Sequence, residues 1–358
     1  MKSILVTGGT GAFGTAFVKE LLRRGMAERI VIYSRDEHKQ QRMATALGLD
    51  ARDRLRYFLG DVRDVSRLRM AMQGCDTVVH AAALKVVPWL EYNPTEGVLT
   101  NVNGAANVAE AAIRTKSVER VVALSSDKAC NPVNLYGATK LCSEKLFLAA
   151  NAMGGGRVAF SVVRYGNVSG STGSVIPLWR AIAEKGEKLP VTNYEMTRFW
   201  MTLRQAVELV YATLEGDGGR VVVPRLPSYY VGDLARAVWL EKYRPGEKKV
   251  DPRAPDRPTL QEITEHVGIR PGEKVHESMI SADESPWVWK RTGAAEGTEG
   301  FCIVPDLGDG VGGPGGRIDP AVGPGDGYTK VDPGFAYMSN DGDPWLSTEK
   351  LRDKLRGV

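Results

Sequence analysis

The chain opens on a short apolar run, Ser3-Ile4-Leu5-Val6-Thr7, that leads directly into Gly8-Gly9-Thr10-Gly11-Ala12-Phe13-Gly14 and then into the amphipathic stretch 15–24. Unbroken apolar character over so few residues predicts a buried parallel strand. Gly8, Gly11 and Gly14 have the spacing G-x-x-G-x-x-G. Such glycines allow a tight turn and let a pyrophosphate approach the helix N-terminus, where free amides and the dipole favour anions. A plain glycine turn would share these letters, but the placement between a strand and a helix points to a nucleotide. The expected cofactor contacts here are Thr7, Gly8, Gly11, Ala12, Phe13 and Gly14.

The next strand, 29–33, ends in Ser34-Arg35-Asp36. An acid at this point suits the free 2′-hydroxyl of NAD, whereas arginine accommodates the extra phosphate of NADP. Ser34 and Arg35, with Lys39 a turn further on, favour NADP over NAD, with Asp36 as the group that would argue for NAD. After the strand 55–59, Asp61 and Val62 suit the edge and face of an adenine. The strand 77–80 runs into Ala81-Ala82-Ala83, small enough to pass close to a cofactor. Residues 84–100, with Pro88 and Pro94, read as a loop, followed by a helix over 101–115, a strand over 118–124, a helix over 137–151 and a strand over 159–164. This alternation predicts an α/β fold, a doubly wound parallel sheet whose ligands lie beyond the carboxyl ends of the strands.

From Ser169 glycine and proline break the alternation. We expect an NADP-binding Rossmann domain formed by 1–168 plus about 202–243. A smaller C-terminal substrate-binding domain would take about 169–201 plus 244–358, with helices at 259–267 and 348–356; the helix expected at 231–243 falls to the first domain. Within it, 244–258 reads as a linker and about 305–334 as a Gly/Pro-rich loop. A net charge of +4 on 358 residues gives no case for nucleic acid and is compatible with an anionic small substrate. The scattered cysteines (Cys75, Cys130, Cys142 and Cys302) and four histidines show no metal spacing, so no metal is expected. The first strand begins too close to Met1 for a signal peptide, and no apolar run reaches a membrane span, so a cytoplasmic protein is expected.

One stretch remains, Ala123 to Lys145, reading ALSSDKACNPVNLYGATKLCSEK. Tyr136 and Lys140 are four apart, on one face of a helix. An ammonium beside a phenol favours the phenolate, whose pKa of about 10 must fall before it accepts a proton at neutral pH. Such a pair occurs by chance in many helices. Behind Ser126-Asp127-Lys128, in a chain that opens on a nucleotide loop, it marks a candidate active site.

The chain resembles the extended short-chain dehydrogenase/reductases and, within them, the inverting UDP-N-acetylglucosamine 4,6-dehydratases. The resemblance is carried by TGGTGAFG (7–14), YSRDEHKQQRM (33–43), AALKVVPWLEYNP (82–94), SSDKACNPVNLYGATKLCSEKLF (125–147), VRYGNVSGSTGSVIP (163–177), MTRFW (196–200) and GIRPGEKVHESMIS (268–281). It implies a Rossmann-like fold and a hydro-lyase that oxidises C4 of a nucleotide sugar, eliminates water across C5 and C6, and reduces C6. Tyr136 would take the 4-hydroxyl proton, Ser126 would orient that oxygen, and Lys140 would lower the tyrosine pKa and bind the nicotinamide ribose. Lys128 would remove the C5 proton and Asp127 would protonate the departing 6-hydroxyl. Lys85, Asn167, Arg198, Arg270 and Glu273 are the substrate-binding candidates. A 4-epimerase, or a dehydratase for a different sugar nucleotide, is the alternative. A homo-oligomer, at least a dimer, is expected.

Overall fold

A parallel strand covered on both faces has no side that can remain polar, and the whole of β1 (Ser3–Thr7) is buried. The computed structural model describes residues 1–48, 51–170, 174–243, 259–292, 299–305, 323–342 and 344–357. Two units are resolved, one of Met1–Tyr165, Arg204–Arg225 and Met279–Ala336, the other of Gly166–Leu203, Leu226–Ser278 and Tyr337–Val358.

In the first unit β1 is joined by β2 (Arg29–Ser34), β3 (Leu55–Leu59), β4 (Thr77–His80), β5 (Arg120–Leu124) and β6 (Ala159–Val163), in the spatial order β3-β2-β1-β4-β5-β6. The strand Arg220–Pro224 lies parallel beside β6. Gly300–Ile303, Val288–Arg291 and Tyr328–Lys330 then extend the sheet antiparallel, giving ten strands. The chain reverses its direction of travel across the sheet between β1 and β4, and at such a switch point the strand ends open a crevice. The register places Thr7 beside both Tyr33 and His80, so the ends of β1, β2 and β4 are level.

The helices are α1 (Ala12–Arg24), α2 (Glu37–Leu47), α3 (Val65–Met72), α4 (Val87–Tyr92), α5 (Pro94–Gly97), α6 (Gly104–Arg114) and α7 (Leu135–Met153). Helix α1 turns Phe17, Val18 and Leu21 into a core with Ile4, Val6, Ile30 and Ile32, closed by Val207, Val210 and Tyr211 of the helix Leu203–Leu214. Phe17 lies between Phe13 and Tyr211, with ring centroids 5.5 and 4.9 Å away. Asp36 and Asp64 cap α2 and α3 by accepting main-chain N–H groups, of Lys39 and of Arg67.

The second unit has its own core, in which Trp179, Trp200, Tyr229, Leu234, Val238, Leu351 and Leu355 are buried. The helices Val175–Glu184, Val231–Tyr243 and Thr348–Leu355 contribute to it, the last capped by Ser347.

Several expectations are corrected. Residues 84–100 are largely helical rather than a loop. Pro88 and Pro94 fall in the first turns of α4 and α5, where a missing N–H breaks no helical bond. The helix expected from 101 begins earlier, running on from α5 through one π-helical segment, Val98–Asn103, into α6. The helix expected at 259–267 stops at Ile263, because Thr264–His266 pairs in parallel with Leu189–Val191. Residues 231–243 belong to the second unit, and 279–336 returns to the first, where its strands find an open sheet edge. The expected Gly/Pro-rich loop contains the strand Tyr328–Lys330. Its residues 306–322, like the linker 244–258, lie outside the described residues. Among the described residues no helix is long and apolar enough to cross a membrane.

Replacing Phe17 by alanine should cost roughly 3–5 kcal/mol of unfolding free energy, as truncation of a buried aromatic does. Urea denaturation followed by circular dichroism checks this, and a loss below about 1 kcal/mol would remove α1 from the core.

Candidate active site

The glycine turn is built for close approach of backbone. Gly8 has φ 64° and its N–H donates to the Tyr33 carbonyl at 2.9 Å. A Cβ on Gly8 would stand 2.8 Å from the Ala82 nitrogen, and one on Gly14 would stand 2.6 Å from the Gly8 oxygen. Helix α1 follows with Gly11 at its N-cap and no side-chain cap. Behind the turn, Thr7 Oγ1 accepts the Ala81 and Ala82 N–H groups at 3.2 and 3.3 Å. The same hydroxyl is hydrogen-bonded to His80 Nδ1, 2.8 Å away. Burial, aided by the charge of Lys140, lowers the His80 pKa to about 3, so the ring stays neutral.

A cleft opens over these strand ends. Of the residues expected to meet a cofactor, Gly8, Gly11, Ser34, Arg35, Lys39, Asp61, Val62, Ala81 and Ala82 line it. Thr7 and Gly14 shape it from behind, Ala12 opens α1, and Phe13 packs on Phe17. Asp36 and Ala83, weighed from the sequence, also line it, as do Thr10, Tyr33, Gly60 and Thr100, which were not singled out. Gly60 had a readable signal, a glycine between a strand end and Asp61; a Cβ there would strike the Tyr33 ring, whose hydroxyl donates to the Asp61 carbonyl at 2.7 Å.

The charges at the β2 end are ordered. Asp36 accepts the Lys39 N–H at 2.9 Å and lies 3.5 Å from its ammonium, so its carboxylate is engaged as a helix cap. Arg35 is exposed, 3.5 Å from Asp61. Burial pushes the Asp61 carboxyl up, but hydrogen bonds from Arg63 and the charges of Arg35 and Arg63 outweigh it, and the net shift is downward.

At the end of β5 the Ser125 N–H donates to Val163 and the Asp127 N–H to Tyr165. Residues Asp127–Ala129 form one 3-10 turn, capped by Ser126, whose Oγ accepts the Lys128 N–H at 3.2 Å. Helix α7 starts at Asn134, which caps it by accepting the Gly137 N–H at 2.8 Å. A Cβ on Gly137 would lie 2.2 Å from the Lys128 carbonyl oxygen. Glycine there lets the first turn of α7 rest directly on the 3-10 turn, which brings Tyr136 among Ser126, Asp127 and Lys128.

Ser126 Oγ donates to Asp127 Oδ1 at 2.8 Å, and the Lys128 ammonium lies 3.2 Å from the same oxygen. Asp127 is 1% exposed and Lys128 25%. Burial raises the Tyr136 phenol above its usual value. The Lys128 ammonium pulls it down, Asp127 pushes it up, and a hydrogen bond with Ser126 pulls it down again, with a net rise. Lys140 is buried and lowered to about 8, desolvation outweighing the carboxylate of Glu144. The Lys128 charge pulls the Tyr136 phenol down in this arrangement, and the Glu144 carboxylate supports the Lys140 ammonium.

Asn101 also went unrecognised as more than a helix start. From inside the π-helical segment its amide makes two bonds of 2.8 Å with the Leu84 main chain and donates to Thr139 Oγ1 at 3.0 Å. Thr139 in turn donates to the Tyr136 carbonyl at 2.8 Å. One side chain thus ties the loop after β4 to the turn that carries the tyrosine. A π-helical insertion leaves no mark on the apolar periodicity, so this was not readable.

Of the substrate candidates, Lys85 lies exposed in the first unit. Asn167, Arg198, Arg270 and Glu273 belong to the second. Arg198 donates to the carbonyls of Thr197, Val275 and Lys274 at 2.7, 3.0 and 3.1 Å and lies 3.5 Å from Glu277, so it clamps its own unit. Arg270 is exposed and faces Glu273 across 3.9 Å, and Asn167 is exposed.

A nucleotide cradle on a doubly wound sheet, with a serine and a Tyr-x-x-x-Lys helix beside it, defines an extended short-chain dehydrogenase/reductase. The polysaccharide biosynthesis protein family matches residues 4–291. A protein named UDP-N-acetylglucosamine 4,6-dehydratase (inverting), from Campylobacter jejuni subsp. jejuni serotype O:23/36 (strain 81-176), is 42% identical over 355 residues, 98% of this chain and 96% of its own length. A UDP-glucose 4-epimerase from Rickettsia conorii is 40% identical over 294 residues, 79% of each chain. The X-ray structure of Pen from Bacillus thuringiensis is similar at TM-score 0.76 and 32% identity, covering 100% of this chain and 98% of that one. The chain belongs to the polysaccharide biosynthesis protein family, in the group of the inverting UDP-N-acetylglucosamine 4,6-dehydratases.

Gly137→Ala should separate α7 from the 3-10 turn and cost about 1–3 kcal/mol, the usual price of an overpacked contact. Thermal unfolding checks this, and a variant as stable as the parent would show that the turn yields freely.

Proposed function

We propose that the protein is an NADP-dependent nucleotide-sugar 4,6-dehydratase that converts UDP-N-acetylglucosamine, with inversion at C5, to a 4-keto-6-deoxy sugar. The observation that carries this reading is the Asp127–Lys128 turn held against Tyr136 by Gly137. A tyrosine and a lysine on a helix account for moving a proton and a hydride. An additional buried acid paired with a partly exposed amine supplies the groups for an elimination.

The glycine cradle fits a dinucleotide, since side chains at Gly8 and Gly14 would fill it. Gly8, Gly11 and the uncapped start of α1 would receive the pyrophosphate, and Asp61 and Val62 the adenine. Arg35 and Lys39 would receive a 2′-phosphate. Asp36 is engaged as a helix cap, which favours NADP over NAD. A bound nicotinamide supplies the acceptor for the C4 hydride and the donor that reduces C6.

The side chains do the proton work. Tyr136 Oη takes the proton of the 4-hydroxyl, with Ser126 orienting that oxygen and Lys128 favouring the phenolate. Once C4 is a ketone the C5 proton is acidic, and Lys128 Nζ removes it. Asp127 donates a proton to the 6-oxygen, which leaves as water. The resting ion pair and the armed pair of carboxylic acid and free amine contain the same protons. Transfer of one proton across 3.2 Å therefore prepares both groups together. Lys140 binds the nicotinamide ribose. The substrate candidates are Lys85, Asn167, Arg270 and Glu273. Arg198 acts indirectly, by shaping the segment that carries Lys274 and Val275.

Incubation with UDP-N-acetylglucosamine in D2O should yield a product lighter by one water and deuterated at C5. Recovery of a 4-epimer of unchanged composition would instead establish the epimerase reading favoured by the Rickettsia relative. Lys128→Ala should lower dehydration roughly 10²–10⁴-fold, the worth of a positioned general base, with dinucleotide affinity unchanged by calorimetry. The double variant Arg35→Ala/Lys39→Ala should weaken NADP binding about 10–100-fold, as loss of charge-assisted hydrogen bonds does, and leave NAD binding within about threefold. Equal losses for both dinucleotides would overturn the NADP assignment.

A further inference from the structure

The densest buried charge outside the residues assigned above lies behind the end of β5. Arg164, directly after β6, is 1% exposed. Its Nε and Nη2 donate to the two carboxylate oxygens of Glu144 at 3.0 and 2.6 Å. Nη1 and Nη2 donate to Glu284 at 3.0 and 2.9 Å, and Nη1 also to the Met279 carbonyl at 2.8 Å. Glu144, 2% exposed, additionally accepts the Ser125 hydroxyl at 2.5 Å. Glu284 accepts the Ser281 N–H at 3.0 Å and the Cys130 thiol at 3.6 Å. Two carboxylates share one guanidinium, and of the three Arg164 and Glu144 are buried while Glu284 is partly exposed, so the buried end of the cluster carries a negative charge that the single guanidinium must share. Such a charge is costly unless a cation neutralises it. Lys140, 4% exposed, is four residues before Glu144 on the same face of α7, so the fixed carboxylate lies one helical turn from a second buried cation.

We propose that Glu144 is a positioning residue for Lys140, its carboxylate fixed by the Arg164 fork and the Ser125 hydroxyl so that the lysine stays charged inside the site. The inference rests on the reading that Lys140 meets the nicotinamide ribose. It also assigns a task to the returning segment 279–336, which brings Glu284 to the far side of Arg164 and so holds the fork in place. On its own helix the titratable groups one turn from Lys140 are Tyr136 and Glu144, and the neutral His80 of β4 feels its charge. The groups facing Glu144 are Ser125 after β5, Arg164 after β6, and Glu284, which reaches it through Arg164.

The sign follows from burial. Desolvation has already drawn Lys140 down to about 8, with Glu144 opposing it. Without that carboxylate the ammonium loses its proton at lower pH. Binding of NADPH, read by nucleotide fluorescence, should therefore be level in the parent protein up to about pH 8 and weaken above it. In Glu144→Gln, of nearly the same shape, the alkaline limb should move down by about one unit or more, with roughly tenfold weaker binding near pH 8 that recovers to within about threefold near pH 6.

A limb at the same pH in both proteins would overturn the proposal. So would a loss that acid does not recover, since a damaged fold weakens binding at every pH, or a parent profile flat to about pH 10. Should Glu144→Gln fail to fold, Glu144→Asp keeps the charge and should hold the limb within about half a unit of the parent; a larger displacement would again overturn the proposal. These titrations need no turnover. A shifted limb in a protein that forms no 4-keto sugar would remove the dehydratase reading and leave this inference, and an unshifted limb in an active dehydratase would remove the inference alone.

Discussion

The Lys128 carbonyl oxygen and the Gly137 Cα are so close that no side chain fits between them. Everything distinctive about the site depends on that contact. It sets the first turn of α7 against the 3-10 turn at the end of β5, and so places a phenol beside an ammonium and a buried carboxylate. With any larger residue at 137, the chain would still contain Ser126, Asp127, Lys128 and Tyr136, but they would line two separated loops. The same economy governs the nucleotide side, where Gly8 lets the main chain of Ala81 and Ala82 pass and Thr7 ties that loop to the sheet.

Electrostatics in this site is a contest between burial and pairing. Burial drives the Tyr136 phenol up and the Lys140 ammonium down, both toward their uncharged forms. Lys128 opposes the first shift and Glu144 the second. Arg164 extends the arrangement, since a guanidinium with donors in a rigid fork can hold two carboxylates at once and so link α7 to a segment more than a hundred residues away.

Much of the frame was legible because it follows local rules. Continuous apolar runs read as buried parallel strands, and their alternation with helices implied a doubly wound parallel sheet. The misreadings have equally physical causes. Pro88 and Pro94 looked like loop residues, yet proline is at home in the first turn of a helix. Thr264–His266 continued a helical pattern, but a partner strand at Leu189–Val191 claimed its main chain. Arg198, proposed from the sequence as a phosphate fork, donates in the structure to carbonyls of its own unit, a set of partners that the letters do not display.

By itself, the sequence determined the parallel sheet, the nucleotide turn and the list of groups gathered at the strand ends. Glycine spacing, apolar periodicity and helical geometry act between near neighbours, and a line of letters displays them. The tertiary structure alone decided that Gly137 seats the first turn of α7 on the Lys128 carbonyl, that Asp36 is engaged as a cap, and that 279–336 returns to the sheet and brings Glu284 to Arg164. Those outcomes depend on how deeply each charge is buried and on which partner, distant along the chain, arrives beside it.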